Sequence, residues 1–263
     1  MFIKKLKNSE YEKMKALKDL NISNLLLPYT ILGNYIIMPR GNSYSFQNRP
    51  NAYEISQALS SLYKNKIFFF SEGIYSFARQ GKTHRKNDLF FKYIDKEIEL
   101  LISNTILDMD LEETFNCCYT MWKKGFDIYK DTTYDSYEIL HGDLHLGNIL
   151  NYKNKIRLID WEYLRSGPKE LELGFYVCWE YLQNQFCFDN FSTMLNELDI
   201  FIETGLINSK ERCRIISTII PMWLLITLCY LNNGNLLYKE ERILACKKAT
   251  HLYYYSIWNK MDL

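Results

Sequence analysis

The stretch that most constrains this chain lies between residues 137 and 162, where two short apolar runs enclose a polar loop. Tyr137-Glu138-Ile139-Leu140 reads as a strand and runs into His141-Gly142-Asp143-Leu144-His145-Leu146-Gly147-Asn148. A second strand, Ile156-Arg157-Leu158-Ile159, ends at Asp160, with a turn marked by Asn154 between them. A strand–loop–strand of this kind brings a loop and a strand end together. Asp143, Asn148 and Asp160 then form one constellation. Asn and Asp oxygens suit Mg2+, which keeps several waters and takes one or two carboxylates plus substrate phosphates. Using Asn148 and Asp160 for the metal leaves Asp143 to accept a proton from an attacking hydroxyl. Taken by themselves, Asp143 and Asn148 also fit a plain turn-stabilising role in a glycine-containing loop.

The rest of the chain sets the frame. With 263 residues, 48% apolar and 24% charged, it can bury a substantial core and is not disordered. Its net charge of +1 offers no bulk attraction for nucleic acid. The seven cysteines show no CxxC spacing, and there are only four histidines. The reading is reduced thiols in a cytoplasmic protein rather than a structural zinc site. No apolar segment follows the lysines of the N-terminus, so no secretory signal is expected. Residues 215–238 carry no charge and are long enough to span a bilayer, but Pro221, Ser217, Thr218, Thr227 and Asn232-Asn233 interrupt them. A buried core helix is expected there, and no membrane partner.

Along the chain, Phe2-Ile3-Lys4 reads as a strand, and Ser9 with Glu12 matches a capping box opening a helix to about Leu20. Two apolar runs, residues 25–32 and Tyr35–Met38, are split by the hairpin signal Gly33-Asn34. Pro39 to Ser43 reads as a linker. Helical periodicity covers Ala52–Tyr63, 88–107 and 111–129. The basic run Arg79, Lys82, Arg85 and Lys86 reads as a solvated loop. After Pro168 the pattern is mostly helical.

His141-Gly-Asp143-Leu-His-Leu-Gly-Asn148 resembles the HGDxxxxN catalytic loop of the aminoglycoside phosphotransferase/choline kinase family, a branch of the protein-kinase-like fold. Ile159-Asp160-Trp161-Glu162 resembles its IDxE motif, and Gly142, where protein kinases carry Arg, favours the small-molecule branch. The layout is also similar to that of spore-coat-associated members of the same group. The resemblance implies an α+β, two-lobe fold: a reduced nucleotide-binding lobe in residues 1–40 and a mainly helical lobe in 41–263, with the catalytic loop at 141–148 and the metal motif at 159–162. It implies transfer of the ATP γ-phosphoryl group, with Mg2+, to a hydroxyl of a small molecule that is aminoglycoside-, choline- or sugar-like.

Carried over by position, Asp143 would be the base, and Asn148 and Asp160 would hold Mg2+. Lys4 would pair the nucleotide phosphates, with Glu12 as its helix partner; Lys5 and Glu10 are the competing choices. The purine would meet backbone groups from Met38 to Arg40. His141 and Trp161 would be structural, Glu162 would orient the loop, and His145 has no family role. Glu172 stands where the family braces the loop with Asp.

The chain departs from the family in carrying no GxGxxG, and it begins at the lysine strand without the two strands and Gly-rich loop that precede it. This keeps a second reading open, a kinase-fold binding or structural protein with little activity. It also leaves an exposed sheet edge that invites pairing. For the acceptor, Glu170, Glu172, Glu180 and Asp189 are candidates for an acidic cleft, and Trp179, Tyr181, Phe186 and Phe188 for an aromatic cage.

Overall fold

A computed structural model describes residues 1–6, 11, 13–14, 17, 20, 22–44, 48–67, 90–106, 108–130, 137–183, 191–233 and 239–261. Ser9, Glu10, Glu12, the basic run 79–86, Phe186, Phe188 and Asp189 lie outside the described residues. The chain divides into two compact units. One comprises Met1–Lys86, Asp135–Glu172 and Ile200–Ile207; the other comprises Asn87–Tyr134, Leu173–Asp199 and Asn208–Leu263.

The first unit carries three small antiparallel sheets. Strands β1 (Phe2–Lys5), β2 (Thr30–Leu32) and β3 (Tyr35–Met38) pair in the order β1-β3-β2. Leu32 faces Tyr35 across the Gly33-Asn34 turn, and Gly33 supplies the positive φ (57°) that the turn needs. The strand is shorter than the apolar run: residues 25–29 stay outside it, and Leu26 instead bridges to Leu158. The expected linker holds a two-residue strand, β4 (Asn42–Ser43). It pairs with β7 (Ile149–Tyr152), which in turn pairs with β8 (Lys155–Leu158). Lys153 and Asn154 both take positive φ (54° and 58°) between them, the geometry of a tight primed turn. The third sheet orders β5 (Lys66–Ile67), β6 (Tyr137–Leu140) and β9 (Arg165–Gly167) around β6.

Helix α1 (Ala52–Tyr63) begins at Asn51, whose side chain accepts from the Glu54 amide while Glu54 returns a bond to the Asn51 amide. Its apolar stripe of Ile55, Leu59 and Leu62 is buried, and it packs on β6, which leads into the polar loop, and on β8, which ends just before Asp160.

The second unit is helical. It contains α2 (Phe90–Ser103), α3 (Glu112–Tyr129), most of α4 (Lys169–Cys178) and of α5 (Phe191–Glu203), and α6 (Ser209–Arg214), α7 (Ile220–Asn233) and α8 (Lys239–Ser256). A π-helical segment, Ile215–Ile219, joins α6 to α7, and its cause is visible in the sequence. Pro221 has no N–H, so the carbonyls of Ser217 and Ile216 lose their helical donors. The Ile220 amide bonds Ile215 instead, and the Tyr253 hydroxyl donates to the Ile216 carbonyl. Gly125 of α3 lies so close to the Ser217 carbonyl that a Cβ would stand 2.0 Å from its oxygen.

Among the described residues one helical run, Ser209–Asn233, is long and apolar enough to cross a membrane by length and composition. However, 78% of its apolar window is buried inside the protein, the pattern of a core helix. The described cysteines, Cys117, Cys118, Cys178, Cys213, Cys229 and Cys246, are free thiols.

Candidate functional site

The loop between β6 and β7 is pinned from beneath by one buried carboxylate. Glu172 accepts from the His141 amide on Oε1 (3.2 Å), from the Gly142 amide on Oε2 (2.6 Å) and from the Tyr63 hydroxyl on Oε1 (2.9 Å). Burial pushes the Glu172 carboxyl up, while the bonded amides and the charge of Arg165 pull it back. Three donors converging on one carboxyl group are the arrangement that suits the ionised form. Gly142 takes φ 85°, and a Cβ there would stand 1.9 Å from the Tyr163 carbonyl oxygen, so only glycine fits.

His141 locks the loop to the end of β8. Its Nε2 donates to the Ile159 carbonyl at 2.7 Å, and its Nδ1 accepts from the Asp143 amide at 3.3 Å. The ring is fully buried against the Trp161 indole, 4.6 Å between centroids. Trp161 itself donates to the Leu158 carbonyl, consistent with the packing role expected of it. Burial drives the His141 pKa down to about 4, so the neutral ring is the working form.

Folding therefore weakens proton binding at this imidazole, and the unfolded chain takes up more protons below about pH 6.5. The stability that this group contributes is complete above about pH 6.5 and is lost as pH falls towards 4. The shift from 6.5 to about 4 corresponds to ~3 kcal/mol. We expect the stability gap between the wild type and His141→Asn, measured by urea unfolding, to shrink progressively from pH 7 to pH 4.5. A gap constant over that range would contradict the buried neutral ring.

Two members of the predicted constellation, Asp143 and Asn148, are in direct contact. Asn148 donates through Nδ2 to the Asp143 carbonyl (2.8 Å) and to Asp143 Oδ2 (3.3 Å), and its own carbonyl accepts from the Ile159 amide (3.0 Å). The segments carrying Asp143, Asn148 and Asp160 are thus tied together through Ile159 and His141. Asp160 takes a left-handed conformation, φ 61° and ψ 58°, at the head of a short 3-10 turn, Trp161–Tyr163. Its Oδ1 lies 2.8 Å from Lys4 Nζ. Strand phase separates the two lysines: Lys4 is half-buried, whereas Lys5 is exposed.

A cavity of about 280 Å3 opens beside this pair. Phe2, Leu26, Ile36, Met38 and Leu158 give it apolar walls, and Lys4 and Asp160 are the charged residues that line it. Met38, placed at the purine by the resemblance, lies on this wall. An apolar cavity with a lysine–carboxylate pair in its lining can take a ligand that joins an apolar or aromatic part to a charged one. Among the described residues no group of three or more His, Cys, Asp and Glu side chains is placed to hold a metal ion. The donors present nevertheless fit Mg2+: one carboxylate, Asp160, and one amide oxygen, Asn148 Oδ1, the atom left when Nδ2 is given to Asp143.

Sequence reasoning left several participants unassigned. His145 is more than a loop histidine. It starts the short 3-10 turn Leu146–Asn148 by accepting the Gly147 amide on Nδ1 (3.0 Å), which turns Nε2 to 3.7 Å from Asp143 Oδ2. Lys13 donates to the Glu162 carbonyl at 2.5 Å, tying the segment after β1 to the turn that follows Asp160. Tyr63 had no local signal, since its partner Glu172 lies 109 residues away. Of the acceptor-site candidates, Glu172 is committed to the loop, and Tyr181 is buried with its hydroxyl donated to Glu197.

No family model and no curated protein sequence matches the chain. Solved structures do. The aminoglycoside phosphotransferase APH(4)-Ia superposes with TM-score 0.60 at 12% identity, covering 97% of this chain and 85% of its own. A choline/ethanolamine kinase family protein from Mesorhizobium loti gives 0.56 at 15% identity, over 94% and 81%. A Plasmodium vivax ethanolamine kinase gives 0.53 at 16%, over 92% and 73%. The fold is that of the aminoglycoside phosphotransferases and choline/ethanolamine kinases, a kinase-like α+β fold, as the two motifs implied.

Proposed function

We propose that this chain is a small-molecule kinase that moves the γ-phosphoryl group of ATP to an alcohol, with Asp143 as base and Mg2+ held by Asn148 and Asp160. In this reading residues 1–40 belong to the nucleotide-binding lobe and residues 41–263 form the mainly helical lobe of a cytoplasmic protein. The observation that carries the reading is the lock at Ile159. Its carbonyl is held by His141 and its amide by Asn148, so a loop carboxylate, a loop amide and the Asp160 carboxylate share one rigid frame.

Phosphoryl transfer asks the protein chiefly for positioning and charge stabilisation, and a frame of this kind supplies positioning. The base would sit in the cavity with its phosphates running towards Lys4. Mg2+, when bound, would neutralise charge on the phosphates. Asp143 would accept the proton of the attacking hydroxyl, and Asn148 holds its carboxylate in place, with His145 Nε2 3.7 Å away. Structures of the same fold were solved with AMP-PNP and hygromycin B (APH(4)-Ia) and with AMP (spectinomycin phosphotransferase APH(9)-Ia). They lend the nucleotide assignment support by analogy of fold.

The test is transfer of label from γ-phosphate-labelled ATP to a panel of aminoglycosides, choline, ethanolamine and hexoses. We expect one class to be labelled in a Mg2+-dependent way. Labelling of none, with nucleotide shown to bind, would favour the kinase-fold binding protein instead.

A further inference from the structure

The cavity's two charged residues hold each other. Lys4 Nζ stands 2.8 Å from Asp160 Oδ1, on the carboxylate that the proposed reading gives to the metal. Mg2+ needs near-octahedral coordination at close range, so a divalent ion on that carboxylate would share it with an ammonium a few ångströms away. A bare cation meets like charge there. A polyphosphate does not, because its oxygens offer Lys4 a replacement for Asp160 while bringing ligands of their own to the metal.

We propose that Lys4 is a specificity-determining residue that disfavours free divalent cations at Asp160, so that the site takes the metal preferentially as its polyphosphate complex. This rests on the nucleotide reading of the cavity. It differs from simple phosphate binding by Lys4 in predicting that one substitution moves metal and nucleotide in opposite directions. The pair is partly exposed, with side-chain exposures of 29% and 43%, so the exclusion is a bias and not an absolute block. Lys5, the exposed neighbour on the other face of β1, carries the same charge without reaching Asp160 and serves as the control.

The experiment is titration of the purified protein with Mn2+ alone, followed by electron paramagnetic resonance. Asp160→Asn identifies the site by removing its saturable binding. We expect Lys4→Met to tighten Mn2+ binding about two- to fivefold over wild type, and Lys5→Met to leave it unchanged. With AMP-PNP present we expect Lys4→Met to weaken nucleotide binding about tenfold or more. Mn2+ affinity that is unchanged or weaker in Lys4→Met, or raised equally in Lys5→Met, would overturn the exclusion. Failure of the wild type to bind AMP-PNP at all would instead overturn the nucleotide reading of the cavity, and the Mn2+ arm separates the two results.

Discussion

Asp143→Asn should lower phosphoryl transfer by ~10^2–10^4-fold while leaving nucleotide affinity within about twofold of wild type. The two side chains are nearly isosteric, and the contacts that hold the loop survive the exchange. Asn148 bonds the main-chain carbonyl of residue 143, which no substitution removes, and an asparagine oxygen can still accept from Nδ2. His141 bonds the main-chain amide. What disappears is a basic lone pair able to take a proton from an alcohol, so the loss belongs in kcat and not in KM for nucleotide. Steady-state kinetics with the acceptor found by the panel, beside calorimetric nucleotide binding, read the two separately. Turnover within twofold of wild type would remove Asp143 as the base.

Among the described glycines of the first unit, Gly142 should be the one where an added methyl group does most damage, as Gly142→Ala. Alanine at φ 85° is strained, and its Cβ would stand 1.9 Å from the backbone oxygen of Tyr163, which is no flexible side-chain end. Either the loop or the Trp161–Tyr163 turn must move, and the Gly142 amide would then leave Glu172 with a buried, under-satisfied carboxylate. We expect a loss of ~2–4 kcal/mol, a melting temperature lower by roughly 5–15 °C, and loss of nucleotide binding. Gly33→Ala is the matched control: it has a similar positive φ of 57° but nothing within 4 Å of its Cβ, so it should cost only ~1 kcal/mol. Equal destabilisation by the two substitutions would show that the close approach at Tyr163 does not matter.

The parts of the fold that repeat locally were readable from the residues. Helix α1 runs over Ala52–Tyr63 as its periodicity predicts, because its cap, stripe and end all lie within thirteen residues. The hairpin at Gly33-Asn34 and the turn at Asn154 follow from residues that tolerate positive φ. The loop and strand end carrying Asp143, Asn148 and Asp160 meet as the strand–loop–strand pattern implies, since both belong to adjacent β-elements.

What was not readable depends on partners distant in sequence. The pair Lys4–Asp160 spans 156 residues and Lys13–Glu162 spans 149, and no local pattern announces either. β4 is two residues long, too short to show alternation, and exists because Leu150 and Asn151 offer it an edge. The cap role of His145 was open to view in principle: a short acceptor side chain two residues ahead of a glycine amide is a capping geometry, but histidine is seldom read that way. The π segment is the exception among long-range effects, since Pro221 in an uncharged helical run is itself a sign that the carbonyls before it need other donors.

The central claim is that the cavity lined by Lys4 and Asp160 holds a metal nucleotide. The most direct measurement is the melting temperature with and without Mg-ATP, on wild type and on Asp160→Ala. Ligand at ~100 times its dissociation constant stabilises by ~2.7 kcal/mol, a shift of several degrees for a chain of this size. The account predicts a Mg2+-dependent rise in the wild type that is absent in Asp160→Ala. No rise at millimolar nucleotide, or an equal rise in both proteins, would contradict it.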